Sequence, residues 1–305
     1  MKSLLVFPAQ WYPTQPYLST PYLCSYLKEK SWDVTQRDFN IESYDHFLSP
    51  TVLEKIVSKI ESRLTELKSQ KSFSFKEKSL MDVMATGVKF APTIISGVND
   101  AKKVMRTPEL FFDFNTYKQA DMIIKSALKL VSDAYSPSIL TLSTFESGTR
   151  AEESTQRSTE FARNKNINPF IDLYDEVLLP SEPWENYSLV GISIVGISQI
   201  LPGLTLARLL KEKYSHLHIT LGGPIFSVNS KQLLGHPEFF QEFCDSIVTF
   251  EGEEPLHRLL TTLKNGSTLK EVPNLLFYEN GVVETNEERV ELRFEEMPPP
   301  TFDGL

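Results

Sequence analysis

The chain has 305 residues, 41% of them hydrophobic, with 31 Lys plus Arg against 40 Asp plus Glu and a net charge of −9. This composition is that of a globular protein and excludes disordered and fibrous classes. The acidic balance argues against a nucleic-acid partner, which needs a basic face for its phosphates. The apolar run behind Met1-Lys2-Ser3 stops at Pro8, too short for a signal-peptide core or a membrane span, so a soluble cytoplasmic protein is expected.

Ser3 to Ala9 reads as a strand and Gln10 to Pro16 as a polar-aromatic loop. A helix follows, with Thr20 as its cap and Pro21 at its first position. Tyr22, Leu23, Tyr26 and Leu27 then recur at helical spacing and form one apolar face. Val34 to Phe39 supplies a second strand. From Ser49 to about Ala134 the pattern is long and helical, rich in Lys, Glu, Ser and Leu, with breaks expected at Ser72 to Ser74, Gly97 and Pro108. This stretch reads as an insertion. Phe73, Met81, Met84, Leu110, Phe111, Phe112 and Phe114 offer the apolar surface of a packed cover rather than a mobile lid.

The strongest strand is Ser188 to Ile194, a nearly unbroken apolar run of the kind found in parallel strands covered on both faces. After it come a helix from Pro202 to Tyr214, a strand from His218 to Leu221, the turn Gly222-Gly223-Pro224, a short helix near Ser230 to Leu234 and a strand from Ser246 to Phe250. A further helix opens at Pro255, with Leu256, Leu259, Leu260 and Leu263 on one side. Asn280-Gly281, between Leu275–Tyr278 and Val282–Val283, suits a type I′ hairpin. The expected fold is α/β: a doubly wound, mostly parallel Rossmann-like sheet with a long helical insertion and a C-terminal β-hairpin. Its expected limits are 1–45 and 186–270 for the Rossmann-like domain, 46–185 for the insertion, and 271–305 for the hairpin and a Pro-rich linker leading to a further domain beyond Leu305.

Ligands of open parallel sheets sit above the carboxyl ends of the strands. The loops expected there carry Gln10, Trp11 and Tyr12; Ser193, Ile197, Ser198 and Gln199; Gly222, Gly223 and Pro224; and Glu251 and Gly252. The paired glycines permit close approach of a ligand to the backbone, or serve a tight turn. Ser193, Ser198 and Gln199 can hydrogen-bond a polar ligand at a helix N-terminus. Glu251 and Glu253 read as residues favoured at a helix start rather than as catalysts, and no residue is assigned a catalytic role. His216 and His218 are close in sequence but lack a third metal ligand. Cys24 and Cys244 are far apart, which leaves no disulfide framework and no cysteine metal site; both suit a small buried apolar role. Neither GxGxxG after a strand nor GxxxxGK[ST] occurs.

The segments Leu189 to Tyr214 (LVGISIVGISQILPGLTLARLLKEKY), Leu221 to Ser227 (LGGPIFS), Phe250 to Leu260 (FEGEEPLHRLL) and Met297 to Leu305 (MPPPTFDGL), in this order and spacing, resemble the N-terminal half of cobalamin-binding-domain radical S-adenosylmethionine enzymes. The resemblance covers roughly residues 1–45 and 186–305. It implies a cobalamin-binding module, with the cofactor's dimethylbenzimidazole tail near Gly222-Gly223 and Ser193 to Gln199, and with Gln10 to Tyr12 facing the corrin. It also implies that the 4Fe–4S cluster and S-adenosylmethionine belong to a partial TIM barrel in the remainder of a longer chain, the module's expected partner. The substrate is unreadable, and the reaction implied is methyl transfer or carbon-skeleton modification. No DxHxxG motif is present, so a base-off cobalamin without a histidine ligand is expected. Two alternatives stand beside this reading: a cofactor-free scaffold or protein-interaction domain, and a flavodoxin-like flavin binder with Trp11 or Tyr12 stacked on the ring.

Overall fold

The computed structural model describes residues 1–286, 290, 295 and 297–305. In chain order its elements are β1 (Lys2–Phe7), α1 (Ser19–Glu29), β2 (Asp33–Asp38), α2 (Phe39–Phe47), α3 (Pro50–Lys68), α4 (Phe75–Arg106), α5 (Pro108–Phe111), α6 (Phe114–Ala134), β3 (Ile139–Leu140) and β4 (Phe145–Glu146). They continue with α7 (Thr155–Arg163), α8 (Phe170–Leu173), β5 (Leu189–Ser193), α9 (Ile197–Lys213), β6 (His218–Gly222), α10 (Pro224–Leu233), α11 (Pro237–Phe243), β7 (Ser246–Val248), α12 (Glu253–Asn265), β8 (Leu275–Glu279) and β9 (Val282–Thr285). The chain divides into two compact units: a sheet unit of residues 1–40, 151–163 and 170–305, and a helical unit of residues 41–150 and 164–169. Residues 151–163 and 170–185, within the stretch expected as insertion, thus group with the sheet.

The sheet unit is α/β and doubly wound. Among the described residues its seven strands lie in the order β2-β1-β5-β6-β7-β8-β9. The first five are parallel, and β8 and β9 add antiparallel pairs at one edge. The hairpin therefore extends the sheet rather than capping it, and Asn280 and Gly281 both take the positive φ that the tight turn requires. Numbered among themselves, the parallel strands follow the flavodoxin-like order 2-1-3-4-5, and strand order reverses between β1 and β5. Alternation sorts their side chains. Leu5, Leu189 and Val248 join Cys24 and Leu27 of α1 and Leu256, Leu259 and Leu260 of α12 in one apolar cluster. Tyr26 of α1 donates from its hydroxyl to Glu254 of α12 at 2.9 Å, fastening the two helices on that face.

Several boundaries differ from expectation. The first helix starts at Ser19 with Leu18 as its cap residue and no side-chain cap, so Thr20 and Pro21 lie inside its first turn. The helix after β5 starts at Ile197 and runs through Pro202, because a proline close to the N-terminus forfeits little of the helical ladder. The helix expected at 230–234 fills 224–233, with Pro224 at its first turn. β7 stops at Val248, and Phe250 takes a φ of 58°. The Pro-rich residues 297–305 return to α1 and β2: Ser25 Oγ donates to the Pro299 carbonyl at 2.7 Å, and Gln36 Nε2 donates to the Thr301 carbonyl at 2.7 Å. Of the segment expected to join hairpin and linker, residues 287–289, 291–294 and 296 lie outside the described residues.

In the helical unit, α3 turns Leu53, Ile56, Ile60 and Leu64 inward at helical spacing. The long α4 opens with a capping box, in which Ser74 Oγ accepts from the Glu77 N–H and the Glu77 carboxylate accepts from the Ser74 N–H. It passes through Gly97 without a break; a Cβ there would make only an ordinary contact with Ile123 of α6 at 3.5 Å. Breaks do fall before Ser74 and at Thr107. Of the apolar residues expected to pack, Met84 is fully buried, whereas Phe112 and Phe114 are exposed at 83% and 71%.

The turn after β6 separates the roles of its two glycines. Gly223 has φ 119°, and a Cβ there would lie 2.1 Å from the Ile194 carbonyl oxygen. Gly222 has ordinary φ, and its Cβ would meet only the Val248 carbonyl oxygen at 3.6 Å. Gly223→Ala is expected to cost roughly 2–4 kcal/mol of stability and Gly222→Ala under about 1 kcal/mol. Thermal unfolding of the two variants beside the parent chain checks this, and equal losses would contradict it.

Candidate functional site

Above the reversal point of the sheet lies a cavity of about 880 Å3, open at the carboxyl ends of β5, β6 and β7. One wall is the N-terminal part of α1 with the residues before it, from Pro16 to Leu23; the other is the start of α12, with Glu253 and Leu256. Its floor consists of Gly191 and Ser193 on β5 and Thr220 and Gly222 on β6. Gly191 pairs with Thr220 and Ser193 with Gly222, so these four small residues share one face. Apolar side chains of ordinary size at these positions would fill the space between sheet and helices.

The polar groups of the floor are already engaged with one another. Ser193 Oγ donates to Ser19 Oγ at 2.8 Å, and Ser246 Oγ donates to Thr220 Oγ1 at 3.0 Å. At the mouth, the Phe250 N–H donates to Ser227 Oγ at 2.7 Å, tying the loop after β7 to α10. Among the described residues none of the lining side chains is Lys, Arg or His, while Glu251 and Glu253 both line the cavity. Burial, reinforced by the neighbouring Glu251, raises the Glu253 carboxyl above the usual carboxylate range, against the lowering effect of backbone N–H groups at the start of α12. The rim is apolar: Val228, Leu18 and Phe250 are exposed at 84%, 43% and 49% and line the opening.

The structure divides the residues expected at this edge. Ser193, Gly222, Gly223, Pro224, Glu251 and Gly252 line the cavity. Gln10, Trp11, Tyr12, Ile197, Ser198 and Gln199 do not. Gln199 is buried, donating through Nε2 to the Pro8 carbonyl at 2.9 Å and accepting from the Val195 N–H at 3.0 Å, so it joins two loops. The Gln10 and Trp11 N–H groups donate to Asn40 Oδ1 at 3.0 and 2.7 Å. Trp11 lies edge-on to Phe7, Tyr12 and Tyr17, and its indole N–H donates to the Gln15 carbonyl at 3.1 Å. Of the two rings expected to stack on a flavin, Trp11 is thus packed among neighbouring aromatics, while Tyr12 is 44% exposed. Ile197, 74% exposed, stands at the start of α9 beside the same edge. Gly252, expected only as a loop residue, is the cap position of α12, which begins at Glu253 rather than Pro255.

Residues missed in the sequence are Ser19, Tyr17, Gly191, Thr220 and Asn40. Gly191 carried a signal, a glycine inside a buried strand, which marks close approach or an empty space beside the sheet. A Cβ there would stand 2.9 Å from Leu5 Cδ2, so the close approach applies. His216 and His218 turn to different partners, the Trp184 carbonyl and Ser246 Oγ. Cys24 and Cys244 are both free and buried, and burial pushes both thiols up. Among the described residues there is no group of three or more potential metal ligands, and no helix is long and apolar enough to cross a membrane.

These features define a doubly wound α/β domain with a cavity at its topological switch point. The chain matches no family model and no curated protein. Among solved structures it aligns with a radical S-adenosylmethionine methyltransferase, TsrM, from Kitasatospora setae, with cobalamin and a 4Fe–4S cluster bound, at 14% identity and a TM-score of 0.39. The alignment covers 100% of this chain and 32% of that one, so this chain spans about a third of its neighbour's length.

The Glu253 environment sets a pH signature. A carboxyl whose folded pKa is raised disfavours the native state once ionised; the penalty is complete above the folded pKa and vanishes below the unfolded one. Glu253→Gln is therefore expected to raise the melting temperature slightly at pH 8, with the gain disappearing as the pH falls through the carboxylate range. Melting curves of both proteins between pH 4 and 8 check this, and a gain that persists at pH 4 would assign the effect elsewhere.

Proposed function

We propose that the sheet unit is a cobalamin-binding module, and that the chain is the cofactor-carrying part of a radical S-adenosylmethionine enzyme acting in methyl transfer or carbon-skeleton modification. The observation that carries the reading is the cavity floored by Gly191, Ser193, Thr220 and Gly222 and rimmed by exposed apolar side chains. A narrow, small-residue floor suits the nucleotide tail of a corrinoid, and an apolar rim suits the broad corrin above it. Among the described residues the cavity also offers no basic group that would answer a dinucleotide's pyrophosphate, although helix N-termini offer N–H groups for a single phosphodiester.

In this reading Gly222 and Gly223 pass beneath the tail, Ser193 and Thr220 stand at its side, and Val228 and Phe250 meet the macrocycle's edge. When bound, methylcobalamin supplies a methyl group on cobalt. This chain's residues orient the cofactor and exclude water from its tail. No histidine lines the cavity, which supports a base-off cobalamin without a histidine ligand. The cluster and S-adenosylmethionine belong, in this proposal, to a barrel in the remainder of a longer protein, because two buried cysteines cannot supply a cluster's ligands.

The same exposed rim favours a second reading, a docking edge for another protein. Titration of the purified chain with hydroxocobalamin, followed by desalting and ultraviolet–visible spectroscopy, separates the two. Retained corrin absorbance, weakened at least about tenfold by Gly222→Leu with the fold intact by circular dichroism, is the expected outcome. Retention equal in the variant would place the ligand elsewhere, and no retention by the parent chain would favour the docking edge.

A further inference from the structure

The helical unit encloses a second cavity, of about 770 Å3, where α4 begins and α6 ends. Lys76 of α4, Lys125 and Lys129 of α6, and the segment from Ser136 to Ser143 form its wall. Three lysines face a single carboxylate, Asp133, in a chain whose net charge is −9. The three are not equivalent. Lys129 Nζ holds both oxygens of Asp133, at 2.8 and 3.0 Å, so its charge is answered within the wall. Lys125 pairs with Asp121 at 2.7 Å, but its side chain is 64% exposed, and such a surface pair yields easily to a better partner. Lys76 has no ion pair among the described residues.

Behind the remainder of the wall Leu128 and Leu140 are buried in the packing, while half-buried Leu142 and Ile139, exposed at 49%, present apolar surface. Ser132 and Ser138 are turned to the backbone, Ser132 Oγ accepting from the Leu140 N–H at 2.9 Å and Ser138 Oγ donating to the Ile167 carbonyl at 2.6 Å. A bare inorganic ion would use the charge and leave Ile139 and Leu142 wet, whereas a neutral apolar molecule would leave Lys76 unanswered. We propose that this cavity binds a small organic anion, its carboxylate or phosphate group held by Lys76 and Lys125 and its apolar body against Ile139 and Leu142. The site lies wholly in the helical unit and stands independently of the cobalamin reading.

The test is a titration of the full ¹⁵N-labelled chain with 3-phenylpropionate and with phenyl phosphate, each against 3-phenylpropanamide, a neutral analogue of the acid. Saturable shifts at residues 128–143 are expected, with either anion binding at least about tenfold more tightly than the amide and losing at least about tenfold in Lys76→Gln/Lys125→Gln. Both lysines sit on solvent-facing turns, so the variant's spectrum should otherwise match the parent's; Lys129 is left in place to keep Asp133 paired. Equal binding of anion and amide, unchanged affinity in the double variant, or shifts lying outside 128–143 would each overturn the proposal.

Discussion

The cavity of the sheet unit depends on how closely the turn after β6 approaches the end of β5. The Ile194 N–H donates to the Gly222 carbonyl at 2.8 Å, continuing the parallel ladder one residue past the strand, and the chain then turns at once into α10. Only a residue without Cβ fits at Gly223, because the Ile194 carbonyl occupies that space. This contact holds the starts of α9 and α10 close above the strand ends. The floor then drops away in front of them, since Gly191, Ser193, Thr220 and Gly222 are too small to fill the gap between α1 and α12. One glycine builds the turn and its neighbour leaves the room.

Much of this architecture was legible in the sequence. The apolar run at 188–194, the strand at 218–221 and the Asn280-Gly281 turn each carry a local signal strong enough to survive into the structure: burial on both faces, strand alternation, and a dipeptide that tolerates positive φ. Boundaries were less legible where proline was taken as a start. Pro21, Pro202 and Pro255 all lie inside first or second turns, where tertiary packing of α1, α9 and α12 carries the helix backward past them. Gly97 misled in the opposite sense: a glycine in a long, well-packed helix costs about 1 kcal/mol, which the contacts of α4 with α6 outweigh.

The site was legible only in part, for a physical reason. A loop's position at the sheet edge follows from the order of strands and helices, so Gly222, Gly223, Glu251 and Gly252 could be placed beside the cavity from the sequence. Whether a side chain in such a loop points at a ligand or back into the protein depends on partners distant in the chain. Gln199 finds Pro8, and Gln10 and Trp11 find Asn40, across separations that no local pattern encodes. The floor escaped notice for the same reason, because Gly191 and Thr220 become a floor only when their strands pair in register.

Charge distinguishes the two cavities. Among the described residues the first contains carboxylates and no basic side chain, and the fold raises the Glu253 pKa by keeping that group partly out of water. A highly anionic ligand is disfavoured there, since each added negative charge meets Glu251 and Glu253 with no lining cation among the described residues. The second reverses the sign, with Lys76 and Lys125 beside an apolar wall. A chain of net charge −9 gives an anion no net long-range attraction, so a site that gathers one must do so with groups close enough to escape screening by salt. Lysines clustered around one cavity meet that requirement, as the same lysines scattered over the surface would not.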